Sequence, residues 1–232
     1  MDNLDKNRYF IFISFNKIKF GALNKNKEIL FNKEITLDNS TLEENFKALE
    51  QFLDQNIIEI EKKLKDYIKD INLIVDYKNF LTIDMSSTHN FKNYIDQPKN
   101  ISNFLFNIKN NLITDMADYD LIHMMINKFI VDKKEYYSIP NLDYENIFFE
   151  LRFIFLESSI KKNFESIFYK YQILIKNIFS FEYIGNFKNF DKDNIFNFTQ
   201  KLSEGFNEKE ILFINKSSEN EGFFTKFFNF FN

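Results

Sequence analysis

Three short apolar runs open the chain. Arg8–Phe15 (RYFIFISF), Lys17–Asn24 (KIKFGALN) and Lys27–Ile35 (KEILFNKEI) are rich in Phe and Ile, and polar residues separate them at Asn16–Lys17 and Asn24–Lys25–Asn26. Such runs between turn residues predict strands, and an antiparallel meander is the simplest way to join three of them. The period then changes from two to between three and four. Leu42, Phe46, Leu49, Leu53, Ile57, Ile60, Leu64, Tyr67 and Ile71 recur at helical spacing, which predicts one long amphipathic helix with a buried face. Ser40 and Glu43 stand just ahead in capping-box spacing. The opposite face, including EIEKKLKD from Glu59 to Asp66, reads as a solvated charge stripe.

Further along, Ile71–Tyr77 (INLIVDY) and Phe80–Ser86 (FLTIDMS) predict a strand pair around Lys78–Asn79, followed by a loop from Ser87. Pro98 begins a second helix with Ile101, Leu105, Ile108 and Leu112 on one face, since proline's missing donor is not needed in a first turn. A strand over 120–132, a turn at Lys133–Lys134 and a returning strand over 135–140 form a hairpin. A long strand over 147–158, a helix with Ile160, Phe164, Ile167 and Tyr171 inward, and a strand over 172–184 complete an α+β unit. After Gly185 come a polar connector, a short helix closed by Gly205, and one more candidate strand from Glu210. The expected fold class is α+β, with antiparallel or mixed sheets and packed helices. The expected divisions are a meander, helix and strand pair over 8–97, a small α+β subdomain over 98–187, a connector over 188–215, a linker over 216–222 and a C-terminal helix over 223–232.

Composition narrows the function. The chain has 232 residues, 44% of them hydrophobic, and a net charge of -4. With only Arg8 and Arg152 as arginines, it lacks the cationic surface that nucleic-acid binding requires, and no nucleic-acid partner is expected. There is no cysteine, hence no disulfide, thiolate nucleophile or cysteine zinc site. The four glycines at 21, 185, 205 and 222 are scattered, so no phosphate-cradling loop or dinucleotide fingerprint can be assembled locally. His89 and His123 lack metal-pair spacing, and His123 in a strand reads as a structural histidine. Asp191-Lys192-Asp193 reads as acidic residues before a helix N-terminus. Asp76 and Asp84 flank a predicted turn, and nothing else converges on them. No catalytic, cofactor-binding or metal-ligating residue is expected, and the chain reads as a non-enzyme. The N-terminus opens acidic and carries no small-residue cleavage site, so no leader is expected.

The chain holds 32 phenylalanines and as many asparagines, a general excess that an AT-rich coding sequence accounts for. The clustering at the C-terminus is separate. Placed at ~100° per residue, Phe223, Phe224, Phe227, Phe228, Phe230 and Phe231 fall within an arc of roughly 160°, with Thr225, Lys226, Asn229 and Asn232 opposite. Ten residues make a helix of ~15 Å, too short to cross a bilayer but long enough to lie in its interface. Six partly buried rings supply on the order of 6–10 kcal/mol before the cost of ordering. Lys226 adds the one attraction to anionic lipid. These seven residues, Phe223, Phe224, Lys226, Phe227, Phe228, Phe230 and Phe231, are the expected membrane-binding set. Docking of the same face on the chain itself or on a partner protein is the alternative.

The order of elements from Arg8 to about Phe187 resembles the N-terminal portion of FtsA, the actin-like bacterial cell-division protein. The resemblance is carried by the strand with His123, by Phe129-Ile130-Val131-Asp132 with Pro140 soon after, by the long strand at Glu150-Leu151, and by the helix and strand that follow. It implies an actin-like half bearing an inserted small subdomain that serves self-association and contact with other division proteins. It also implies a linker and a membrane-targeting C-terminal helix, on the cytoplasmic face of the cell membrane. Two departures matter. The family's first hairpin holds nucleotide phosphate with an Asp and a Gly, whereas here the turn reads Ser14-Phe15-Asn16-Lys17. About 45 residues follow Phe187, so the second actin lobe, with its adenosine loops and the FtsZ-docking part, is expected to be absent. The expected protein is a membrane-associated adaptor without nucleotide, the alternative a soluble interaction module such as a pilus-assembly adaptor.

Overall fold

Every residue of the first strand from Tyr9 to Ser14 is buried, so this strand needs cover on both faces. It is β1 (Arg8–Ser14), and it lies at the centre of a sheet ordered β3-β2-β1-β4-β9. Strands β2 (Lys17–Leu23) and β3 (Ile29–Thr36) complete the expected antiparallel meander. Strand β4 (Asp70–Asp76) returns parallel to β1, and β9 (Leu174–Ser180) lies parallel to β4. The structure is a computed structural model that describes residues 7–38, 41–90, 97–136, 146–187, 190–191, 194–207 and 209–212. It is α+β, with two sheets and helices packed on them.

Helix α1 (Leu42–Leu64) forms the crossover between β3 and β4. Its capping box lies one residue later than the sequence suggests. Thr41 Oγ1 accepts from the Glu44 N–H at 3.3 Å, and the Glu44 carboxylate accepts from the Thr41 N–H at 2.7 Å. The helix also ends earlier than the periodicity implies. Lys65 turns left-handed with φ 51°, and the Ile68 N–H donates to the Glu61 side chain at 2.9 Å. Ile71 thus belongs to β4, and Tyr67 is exposed. Lys33 donates to Asn56 of α1, and Lys63 sits over the Phe31 ring, which places α1 on the face that carries Phe31. Helix α3 (Ser158–Tyr169) packs against α1 through an edge-on contact of Phe46 and Phe164 at 5.0 Å.

Phe10 and Phe12 point to the other face of β1. It is covered by α4 (Phe181–Gly185) and α5 (Ile195–Ser203). Phe12 meets Phe181 edge-on at 5.3 Å, and Phe10 stacks on Phe196 at 5.6 Å. Gly21, opposite Phe10, makes room for that ring: a Cβ there would lie 2.2 Å from Phe196 Cδ2. The segment FEYIG is helical instead of continuing β9, because Ser180 caps it by accepting from the Tyr183 N–H at 3.4 Å.

The second sheet is ordered β5-β8-β6-β7. Strand β5 (Phe80–Asn90) belongs here, so β4 and β5 are not the expected pair, and β5 extends through the predicted loop as far as Asn90. Strand β6 (Tyr119–Val131) pairs antiparallel with β8 (Asn146–Glu157) and forms a hairpin with β7 (Lys134–Tyr136). The hairpin turn is Asp132–Lys133, one residue earlier than expected, with both φ values positive at 49° and 65°. Helix α2 (Gln97–Asp115) packs Ile101 and Leu105 into the core of this sheet, among Met124, Phe149 and Phe153.

These pairings assign the chain to two compact units, Met1–Phe80 with Ser158–Lys201 and Leu81–Glu157 with Leu202–Asn232. The sequence divisions at 97 and 187 fall elsewhere, because β5 joins the second unit and α3 and β9 join the first. Gly21→Ala is expected to destabilise by about 1–3 kcal/mol through overpacking against Phe196. In a Phe196→Ala background the same substitution should cost far less. Urea denaturation of the four variants measures this coupling.

Candidate functional site

The β1–β2 hairpin is where the resemblance places a phosphate site. Ser14 and Lys17 form its last register pair, and Phe15 and Asn16 make the turn. The buried Ser14 hydroxyl donates to Asn16 Oδ1 at 2.7 Å. The Phe15 ring packs on Tyr77, with centroids 4.7 Å apart. Side chains therefore fill the turn where a phosphate cradle needs bare backbone. Beside it lies a cavity of about 270 Å³ lined by Phe12, Ser14, Asn16, Lys17, Lys19, Asp76, Phe181 and Ile195. Its two lysines are engaged: Lys17 pairs with Glu34 at 3.5 Å, and Lys19 lies over the Phe196 ring at 5.6 Å. The Asp76 carboxylate also opposes an anion. The cavity is polar and small, and it has no arginine.

The second unit holds a larger feature. Residues 209–211 run antiparallel along β6: the Ile126 N–H donates to Lys209 O at 2.9 Å, and the Ile211 N–H donates to Met124 O at 2.8 Å. The buried Glu210 side chain fastens this segment. Its carboxylate accepts from the Met124 N–H at 3.0 Å, from the Leu212 N–H at 3.1 Å and from His123 Nδ1 at 3.2 Å. Both the His123 and Glu210 side chains are almost wholly shielded from solvent. Alongside runs a groove of about 490 Å³, lined by Ser102, Leu105, Phe106, Lys109, Met124, Ile211 and Leu212. Phe106 is 51% exposed and Lys109 Nζ lies 5.2 Å from its ring centroid, so the groove wall is apolar with a cationic rim.

The seven residues of the expected membrane-binding set lie outside the described residues, as do Pro140 and the linker. His123 is structural, bound to Glu210. His89 stacks on Phe104 at 4.6 Å, and burial holds its pKa below the usual histidine value. Asp76 lies on β4 of the first sheet and Asp84 on β5 of the second. Asp84 accepts a two-pronged bond from Arg152, 2.7 Å from both Nε and Nη2, which holds its carboxyl below the ordinary aspartate range. Asp191 accepts from the Asn194 side chain at 2.9 Å, just ahead of α5. Among the described residues no group of three His, Asp or Glu could hold a metal ion, and no helix is long and apolar enough to cross a membrane. Glu210 and the groove were not legible in the sequence. A glutamate in a run of Glu and Lys gives no signal that it will be buried.

No protein-family model and no curated protein sequence matches the chain. Among solved structures it is similar to a PilM–PilN type IV pilus biogenesis complex, with 8% identity, a TM-score of 0.45, and coverage of 77% of this chain and 48% of that one. It is also similar to a Bacteroides thetaiotaomicron protein described as having an actin-like ATPase fold and unknown function. There the identity is 14%, the TM-score 0.34, and the coverage 76% of this chain and 52% of that one. The chain thus spans about half the length of each. Both TM-scores are below 0.5, and neither likeness singles out FtsA.

Removing Glu210 strands two backbone donors and a buried imidazole. Glu210→Ala is expected to destabilise by about 3 kcal/mol. Glu210→Gln keeps one acceptor oxygen and should lose less. Thermal denaturation, with hydrogen exchange of the Met124 and Leu212 amides, reads both effects.

Proposed function

We propose that the chain is a non-enzymatic adaptor with an actin-like half and an inserted small subdomain. It works at the cytoplasmic face of a membrane, linking or recruiting components of a membrane machine such as the division apparatus. The observation that carries the reading is the full segregation of six phenylalanines from four polar residues in the last ten positions. The sheet order β3-β2-β1-β4-β9, with a meander followed by a parallel crossover, supports the actin-like part. The side-chain-filled hairpin, with its Asp76 carboxylate and engaged lysines, supports a scaffold that does not use nucleotide.

The tail binds weakly to lipid by itself. Its six rings provide most of the affinity and Lys226 a small electrostatic part. Self-association through the second unit raises that affinity by avidity. A second reading, a soluble interaction module, is favoured by the apolar groove, which offers the same aromatic face a protein surface.

Co-sedimentation with vesicles of phosphatidylethanolamine and phosphatidylglycerol tests the membrane reading. The full chain is expected to pellet with lipid, and a chain ending at Asn220 to stay in the supernatant. Phe227→Asp with Phe228→Asp should lower the bound fraction by about tenfold or more, since each buried ring is worth at least one decade. Equal sedimentation of full and shortened chains would reject the tether.

A further inference from the structure

The groove of the second unit has a wall, a floor and a rim, and the chain leads straight into it. Its floor is Leu105 and Met124, one wall is Phe106 on α2, and the opposite wall is Ile211 and Leu212. The Ile211 N–H donates to Met124 O of β6, and the Glu210 carboxylate accepts from both the Met124 and the Leu212 N–H. At about 490 Å³ it lies within the roughly 300–1,000 Å³ of pockets that engulf drug-sized molecules. Among the described lining residues only Ser102 and Lys109 are polar, so the groove suits an apolar occupant that arrives with little charge.

We propose that this groove is the docking site of the chain's own aromatic segment, Phe223–Phe231. Leu212 forms part of the wall, and ten residues separate it from Phe223. Ten residues span on the order of 18 Å for a chain of random-coil dimensions, so the segment stays near the groove at high effective concentration. Its aromatic face supplies apolar cover for Phe106, which is 51% exposed above the buried Leu105 and Met124. Glu219 and Glu221 in the connector approach the Lys109 rim with the complementary charge. The inference rests on the groove and not on the membrane reading, with which it shares only the segment. If both hold, the groove and lipid compete for one face, and the docked form is a closed latch that withholds the tail from the membrane.

The chain has no tryptophan, so Phe227→Trp in the full chain gives a single reporter. In lipid-free buffer its emission should be blue-shifted, shielded from acrylamide and independent of protein concentration. Adding Phe106→Asp should move the emission to that of an exposed indole without lowering the melting temperature, because Phe106 is already half in solvent. Lys109→Glu on the rim should move it partway. Ile58→Asp, an exposed apolar residue of α1, should leave it unchanged. Exposed-indole emission in the parent reporter would overturn the proposal, and so would emission that Phe106→Asp does not move. A blue shift that appears only as concentration rises would assign the groove to a second copy and also overturn it.

Vesicles of phosphatidylethanolamine and phosphatidylglycerol separate the two readings. Phe106→Asp should bind them about tenfold more tightly than the parent, as the tail is released. Buried emission in buffer with no vesicle binding would leave the latch standing and sink the tether. Exposed emission in buffer with vesicle binding would do the reverse.

Discussion

A central strand with no polar face sets the terms for the first unit. Tyr9, Ile11 and Ile13 point one way from β1, Phe10 and Phe12 the other, and all are buried. Such a strand is stable only between two layers, because each side left in water forfeits the burial of several large side chains. Helices α1 and α3 supply the first layer. Helices α4 and α5, from residues after β9, supply the second. The stacking of Phe196 on Phe10 over Gly21 is the tightest part of that second layer. Any larger residue at 21 would push α5 away from β1.

This layer bears on function, because it lies on the same side of the sheet as the hairpin cavity. Phe181 and Ile195, from the second layer, form part of that cavity's lining, and Lys19 is drawn onto the Phe196 ring. A phosphate site needs free donors and an open approach. Here the two lysines are engaged and the turn carries a phenylalanine packed at a tilt against Tyr77. In the second unit the binding feature is of the opposite kind, an apolar groove with one cationic rim residue. The two units thus differ in the chemistry they expose, a small polar cavity in one and an apolar groove in the other.

Much of this architecture was legible in the sequence, and the misreadings have local physical causes. The meander was read correctly because Asn and Lys interrupt each apolar run where a turn falls. The helical spacing runs past the end of α1 because Tyr67 and Ile71 continue it by chance, although Tyr67 is exposed and Ile71 serves β4. The Lys65 left-handed cap leaves no mark in composition. Strands β4 and β5 flank a turn-like Lys78–Asn79 and so read as a hairpin. Their true partners, β1 and β8, are set by burial of nonlocal faces that no short window contains. The same holds for Glu210, whose burial depends on the Met124 amide of β6, the Leu212 amide and His123. The aromatic tail, whose pattern is the plainest in the chain, lies outside the described residues.

A binding scaffold of the kind proposed above has a hairpin that does not hold nucleotide. Isothermal titration of the full chain with ATP and magnesium, paired with thermal melting at millimolar ATP, tests it most directly. No saturable heat and no rise in melting temperature are expected. Saturable binding with a ligand-dependent rise in stability, abolished by Lys17→Ala with Lys19→Ala, would contradict it and make the hairpin a working nucleotide site.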